Sequence, residues 1–500
     1  VKNKEIKSEG LQMAIPQKKL EVVEKTPPKG FYNKNKKFIL LSLCVTIGAT
    51  IWIYPAPSGF SEASWHLFAI FASTAMGFML QPVPNGVVAV LALVMTVATG
   101  ILEINQALSG FSASVIWLIV SAFIFSVGLI KTGLGERVAY LLMKKFGSNS
   151  LRLGYSLSFG DLLLSLFIPS NTARSGGIMF PIIRSISEVT GSTPDKRPRK
   201  IGAYLIQTVM QTENITSGLT LTGMAGNLII IAFISQIANV EISWIGWFVA
   251  AIVPCLICLL FIPWIVYKLY PPEMKETPEA KVLAEKALAK LGPMKWQEKV
   301  LGIILILTIT GWATTNLTNI DATTIGLAAV CAMLISNVIN WKDVTNQSNA
   351  WDTLIWMGGM YSLADNLAKL EFFDSFANNV GGALEGVSWV PALILLVLIY
   401  VFSTYAFASG TAHILAMYPI MLGLAIGLGA PPYLASLVLA FSSAIFQSMT
   451  HYSSGPAAVF FAGGFVEQKI WWKLGLQLVC LYLIVFGLVG SFWWKVLGLW

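Results

Sequence analysis

Charge is scarce in this chain. Lys, Arg, Asp and Glu together make up only 12% of its 500 residues, against 56% apolar ones, and the mean hydropathy is +0.71. Such a balance excludes a water-soluble globular fold. Histidine is rarer still, with three in all, and the five cysteines (Cys44, Cys255, Cys258, Cys331, Cys480) lie inside apolar runs. Cys255-x-x-Cys258 lacks the polar, ligand-rich surroundings of a metal or redox site, so the cysteines read as packing residues, and no metal or cofactor is expected. Arginine is missing from the first 37 residues, which carry ten Lys and four Glu. They match neither a signal peptide nor an Arg-rich, acid-poor transit peptide, and read as a disordered basic cytoplasmic tail. The formal charge of +8 comes from basic residues clustered beside apolar runs. That is the positive-inside bias of membrane proteins, and nucleic acid is not an expected partner.

What is plentiful is apolar sequence in runs long enough to cross about 30 Å of hydrocarbon, recurring from Phe38 onward. The expected class is an all-α polytopic membrane protein in the cell membrane, with the N-terminus cytoplasmic and about 11 spans. The divisions are the tail at 1–37, a first repeat at 38–268, a cytoplasmic linker at 269–299 and a second repeat at 300–500. In the linker, Thr277-Pro278-Glu279 starts an amphipathic helix that Gly292-Pro293 ends.

The repeat rests on two duplicated signatures. Ser170-Asn171-Thr172-Ala173-Arg174 returns as Ser409-Gly410-Thr411-Ala412-His413, 239 residues later. Thr216-Ser217-Gly218, with Gly226 beyond it, returns as Ser453-Ser454-Gly455 with Gly463, at an offset of 237. The first signature falls in the apolar stretch 153–185, whose flanking basic clusters put both of its ends inside, so the chain goes in and comes back. A re-entrant hairpin with the polar tip at its turn fits best, because irregular polar backbone is tolerated at membrane depth only where protein or a watery cavity surrounds it. The second signature falls in 201–238, too long for one straight span and polar at its centre, hence a broken helix. The second half repeats the plan with a hairpin at 388–429 and a broken segment at 432–466. An odd number of crossings between the halves makes the repeats inverted.

Ser, Asn or Thr just before a helix caps free N–H groups, and the helix dipole places partial positive charge there. Two such tips meeting at midplane suit a C4 or C5 dicarboxylate. The candidate substrate-binding residues are Ser170, Asn171, Thr172, Ser217, Gly218, Ser409, Gly410, Thr411, Ser453, Ser454 and Gly455. Arg174 and His413 occupy matching places four residues after each serine. Glu213, Asn214 and His451 are candidate site-lining or ion-pair residues. For Arg174 the alternative is a structural ion pair, with Glu213 the nearest partner by depth and Asp161, on the opposite hairpin arm, the less favoured one.

These motifs resemble the divalent anion/sodium symporter superfamily, which includes the INDY-type dicarboxylate carriers, over nearly the whole chain beyond residue 37. The resemblance implies carboxylate binding at the tips, a homodimer, and an elevator movement of a transport domain against a scaffold, each drawn from both repeats. Gly410 departs from the paired Ser-Asn-Thr pattern. The stretch Thr450-His451-Tyr452-Ser453-Ser454-Gly455-Pro456 is similar to the branch of 2-oxoglutarate/malate translocators and dicarboxylate exchangers. Arg174 and His413 are then expected to supply by tethered charge what bound sodium supplies in a symporter, giving sodium-independent exchange of the 2-oxoglutarate, malate and succinate class. The alternatives are a sodium-coupled dicarboxylate or citrate symporter and, from another class, an intramembrane hydrolase using Ser454 and His451.

Overall fold

The computed structural model describes residues 31–383, 386 and 388–500. The expected tail lies outside the described residues up to position 30. Its last part does not stay separate: the first helix is Phe31–Ile53, so residues 31–37 form the opening turns of that helix. No Gly or Pro stands between Phe31 and the apolar run, and Lys is a good helix former, so the helix extends back through the basic stretch.

Regular structure among the described residues is helical, apart from a single bridge between Asn149 and Glu276. Among the described residues, six helices are long and apolar enough to cross a membrane: Glu62–Leu80, Ser114–Thr132, Trp244–Leu269, Trp389–Ala406, Gly410–Gly427 and Gln468–Val496. Shorter apolar helices include Lys37–Ile53, ahead of these six, and Asn85–Ala98 and Ala322–Ile335, between them. The chain is a multi-pass, all-helical membrane protein.

Two pairs of helices turn back at the duplicated tips. The first pair is Ser150–Ser165 and the run that starts at Asn171 and continues through a π turn, Ser175–Met179, to Val189. The second pair is Trp389–Phe402 and Gly410–Gly427. In each pair the serine of the motif caps the return helix: Ser170 Oγ accepts from Ala173 N, and Ser409 Oγ accepts from Ala412 N.

Two further helices are interrupted where the second signature predicts. Gly202–Leu219 ends where Thr220 turns extended, and after a short 3-10 turn the chain resumes helically at Ala225. The freed carbonyls of this break have partners. Asn227 Nδ2 donates to Ser217 O and Thr220 O at 2.7 and 2.9 Å, and Trp247 Nε1 donates to Gly218 O. In the second half Pro432–Ile445 passes through a 3-10 turn into irregular chain and resumes at Gly455–Ala462, capped by Ser454.

Every residue of Gly202–Leu219 is buried, although the helix carries Gln207, Gln211, Glu213, Asn214 and several hydroxyls. An apolar environment tolerates such a helix only if its polar groups find partners or do chemistry. It packs against both Ser150–Ser165 and Trp244–Leu269.

The stretch between Leu269 and Trp296 holds a helix at Pro278–Leu291. It is clasped at both ends. Ser150 N donates to Lys275 O and Thr277 N to Ser148 O, joining the entry of the first hairpin to residues 274–277. At the far end Arg137 donates to Gly292 O and to both carboxylate oxygens of Glu298.

Candidate functional site

The two hairpin tips and the two resumed half-helices converge on one cavity of about 340 Å³, within the range of small-molecule sites. Four helix N-termini face it: Ser170 to Thr172, Met224 to Gly226, Ser409 to Thr411, and Ser454 with Gly455. Among the described residues that line it, none is charged. The first tip is also tied to the first break, since Ala225 N donates to Pro169 O at 3.1 Å. Across the seam between repeats the fit is close: a Cβ on Gly455 would lie 1.8 Å from Thr172 Oγ1. Only a residue without a side chain lets the second half-helix approach the first tip this closely.

The sequence candidates divide into two groups. Ser170, Asn171, Thr172, Ser409, Gly410, Thr411, Ser454 and Gly455 line the cavity. Ser217, Gly218 and Ser453 stand behind it: Ser217 Oγ accepts from Arg174, Gly218 gives its carbonyl to Trp247, and Ser453 N donates to Thr450 Oγ1. Asn214 Nδ2 donates to Ser448 Oγ, bridging the two broken segments away from the cavity wall. His451 Nδ1 accepts from Trp472 Nε1, and its ring lies against Phe461. No hydrogen bond joins His451 to Ser454 among the described residues, and Ser454 Oγ serves as a helix cap, so the hydrolase dyad has no geometric basis here.

Arg174 is fully buried behind the first tip. Its Nε donates to Asp161 Oδ1 at 2.7 Å, while Glu213 Oε1 lies 3.6 Å away. The order of partners is therefore the reverse of the sequence expectation. The two arms of the hairpin are antiparallel, and that register brings Asp161 back beside Arg174. The rest of the guanidinium is spent on the break: Nη1 donates to Ile168 O and Gly223 O, and Nη2 to Ser217 Oγ and Thr216 Oγ1. Thr216 in turn donates to Asp161 Oδ2. Arg174 thus sits among backbone carbonyls at a hairpin end and a helix break, the oxygen-rich type of niche in which a carrier can coordinate a cation.

His413, the matching residue, is also fully buried but has no acidic partner among the described residues. Its Nε2 shares a hydrogen bond with Ser403 Oγ at 2.8 Å, and Tyr400, Phe407 and Phe446 surround the ring. A charge on this ring would have no counter-ion among the described residues.

Eight lining residues fall outside the duplicated motifs and are not among the sequence candidates: Pro169, Met224, Ala225 and Ile414, close to motif residues, and, farther from them, Gln447, Phe123, Thr353 and Trp356. Gln447 belongs to the turn that ends the second broken helix. Phe123, Thr353 and Trp356 come from Ser114–Thr132 and Ser348–Lys369, so the cavity lies where the hairpins and breaks meet these two helices.

Comparison with known proteins agrees in fold and in kind. The description "Sodium:sulfate symporter transmembrane region" matches residues 35–500. YflS of Bacillus subtilis, named a candidate malate transporter, is 47% identical over 465 residues, covering 93% of this chain and 97% of that one. Dicarboxylate transporter 1 of the Spinacia oleracea chloroplast is 41% identical over 461 residues, covering 91% and 81%. Among solved structures, the YdaH transporter of Alcanivorax borkumensis superposes with a TM-score of 0.51 at 14% identity, covering 92% of this chain and 97% of that one, a likeness of fold alone.

Proposed function

The chain belongs to the sodium:sulfate symporter family of transporters, and from that membership we propose that it exchanges C4 and C5 dicarboxylates, of the malate, succinate and 2-oxoglutarate class, across the cell membrane without sodium. The observation that carries the substrate class is the convergence of four helix N-termini on a cavity lined by no formal charge. Each N-terminus is equivalent to about half a positive charge, so the four together offer about two, spread over the ends of the cavity. A dicarboxylate carries two negative charges at its two ends. Malate and the dicarboxylates of the relatives' names fit that description.

The coupling mode is argued from Arg174. In a symporter a dissociable cation would occupy the carbonyl niche at the first tip and leave with the substrate. Here Ile168 O, Gly223 O and Ser217 Oγ are already taken by a tethered guanidinium. Asp161 balances its charge, so the empty site keeps the unmet partial charge of its four helix ends with no ion to release. Moving that site through the bilayer unloaded is costly, and each 1.36 kcal/mol in the barrier slows the return about tenfold. Reloading with a counter-substrate removes the cost. His413, which has no acidic partner among the described residues, has no part in this account.

The cavity at the junction of the hairpin bundle with Ser114–Thr132 and Ser348–Lys369 supports an elevator movement, in which a transport domain drawn from both repeats carries the site past these helices in a homodimer. Uptake of labelled 2-oxoglutarate into proteoliposomes, loaded with malate or left empty, with sodium or choline outside, tests the proposal. Uptake confined to loaded vesicles and indifferent to sodium is expected. Sodium-driven uptake into empty vesicles would refute exchange.

A further inference from the structure

The two tips are copies of one motif, but they are not equivalent. The first carries Asn171 between its serine and threonine, and the second carries Gly410 in that place. The space left by the missing side chain is occupied from elsewhere. A Cβ on Gly410 would lie 3.4 Å from Gln447 Cδ and 3.6 Å from Gln447 Cγ. A methyl would just fit there, whereas the carboxamide of an asparagine would have to share the volume with that of Gln447. Gln447 is 3% exposed and lines the cavity.

Its amide faces its counterpart in the other repeat. Asn171 Nδ2 donates to Gln447 Oε1 at 3.3 Å, and Asn171 Oδ1 accepts from Thr172 N at 3.0 Å. Gln447 Nε2 donates to Ser443 O at 3.1 Å, and its remaining contact is the thioether of Met224 at 3.5 Å. Both acceptor oxygens of the pair are therefore engaged within the protein. The N–H groups are less fully used: one hydrogen of Asn171 Nδ2 has no partner among the described residues, and Gln447 Nε2 spends one on sulfur, a weak acceptor. What the pair has left for a ligand is donors, at the seam between the tips and away from the capped ends.

From this we infer that Gln447 is a specificity-determining residue, which replaces the asparagine missing from the second tip and, paired with Asn171, donates to the oxygen on C2 of a 2-hydroxy or 2-oxo dicarboxylate. The inference rests on the reading of the cavity as a dicarboxylate site. With the two carboxylates at the helix ends, a C2 oxygen falls between them, where only acceptors are wanted. Succinate and glutarate have no such oxygen and leave these donors unmet.

The test is competition by unlabelled malate, succinate, 2-oxoglutarate and glutarate against labelled exchange in proteoliposomes, for the wild type, Gln447→Leu and the swap Gly410→Asn/Gln447→Ala. The wild type is expected to favour each oxygenated acid over its plain analogue. In Gln447→Leu that ratio falls on the order of tenfold, the worth of one or two hydrogen bonds. The swap, which moves the amide back to the tip, recovers most of the ratio, and Gly410→Asn alone, with two carboxamides in one space, does not. A ratio unchanged in Gln447→Leu, or a wild type that does not discriminate, would overturn the inference. So would equal weakening of all four acids, since that marks a packing role. A wild type inhibited by none of the four overturns instead the dicarboxylate reading on which it rests.

Discussion

Asp161→Asn should disable this protein where Glu213→Gln does not. Both acids are fully buried beside Arg174, but one sits at 2.7 Å with a direct hydrogen bond and the other at 3.6 Å, with neither carboxylate oxygen hydrogen-bonded. With an effective dielectric of about 20, the longer separation alone weakens the attraction by roughly 1.5 kcal/mol. The charge-assisted hydrogen bond that Asp161 makes and Glu213 lacks adds about 1.5 to 3 kcal/mol more. Removing Asp161 therefore costs roughly 3 to 4.5 kcal/mol more than removing Glu213, on the order of a hundredfold or greater in any equilibrium that needs the first tip in place. Asp161 also accepts from Thr216, so its loss loosens the break as well as the hairpin. Counterflow of labelled malate in proteoliposomes, with thermal stability of the detergent-purified protein alongside, reads both effects. Near-normal counterflow in Glu213→Gln with a drop of about a hundredfold in Asp161→Asn is expected. Equal damage from the two substitutions, or a silent Asp161→Asn, would refute the assignment of Asp161 as the counter-ion.

Gly455→Ala should lower exchange by tenfold or more while leaving the protein purifiable, because its methyl would land on Thr172 and push the second half-helix off the first tip; initial rates of counterflow check this. The Asp343 carboxyl, outside the spans, is held below its ordinary value of 3.8 by the hydrogen bond from Lys131 and by the backbone N–H of Asn340. A depressed folded value means that its contribution to stability is present above the ordinary carboxylate range and is lost as pH falls through that range and below. Melting temperature against pH should therefore fall below about pH 4 more steeply in the wild type than in Asp343→Asn.

The parts of the site that come in duplicate are legible in the sequence. Ser170 and Ser409 stand out because polar residues seldom recur at one offset within apolar segments, and both line the cavity. Asp161 ranks too low as a partner because depth along the chain says nothing of hairpin register, which is set by packing of the two arms. Gln447 lies outside both motifs, but it carries a signal: a lone amide in an apolar segment just before a break, opposite a tip lacking its own. Phe123, Thr353 and Trp356 carry none, since apolar and threonine residues in a span look alike whether they meet lipid, protein or substrate. Likewise nothing in Ser217 distinguishes a hydroxyl that touches a ligand from one that accepts from the guanidinium behind it. The last turns of the expected tail escape a sequence reading because Lys-rich sequence is equally compatible with solvated coil and with helix.

The clasp between residues 147–150 and 274–277 has a practical side. Ser150, Thr277 and the Asn149–Glu276 bridge join the entry of the first hairpin to a linker whose helix has exposed lysines and glutamates. A displacement of the hairpin cannot leave that linker where it was. Under the proposed elevator movement, a spectroscopic label on Lys281 or Lys286 would be attached to the moving hairpin by a mechanical connection made of backbone hydrogen bonds, while standing clear of the cavity. The aqueous surface of this protein carries a handle from which events inside the bilayer can be timed.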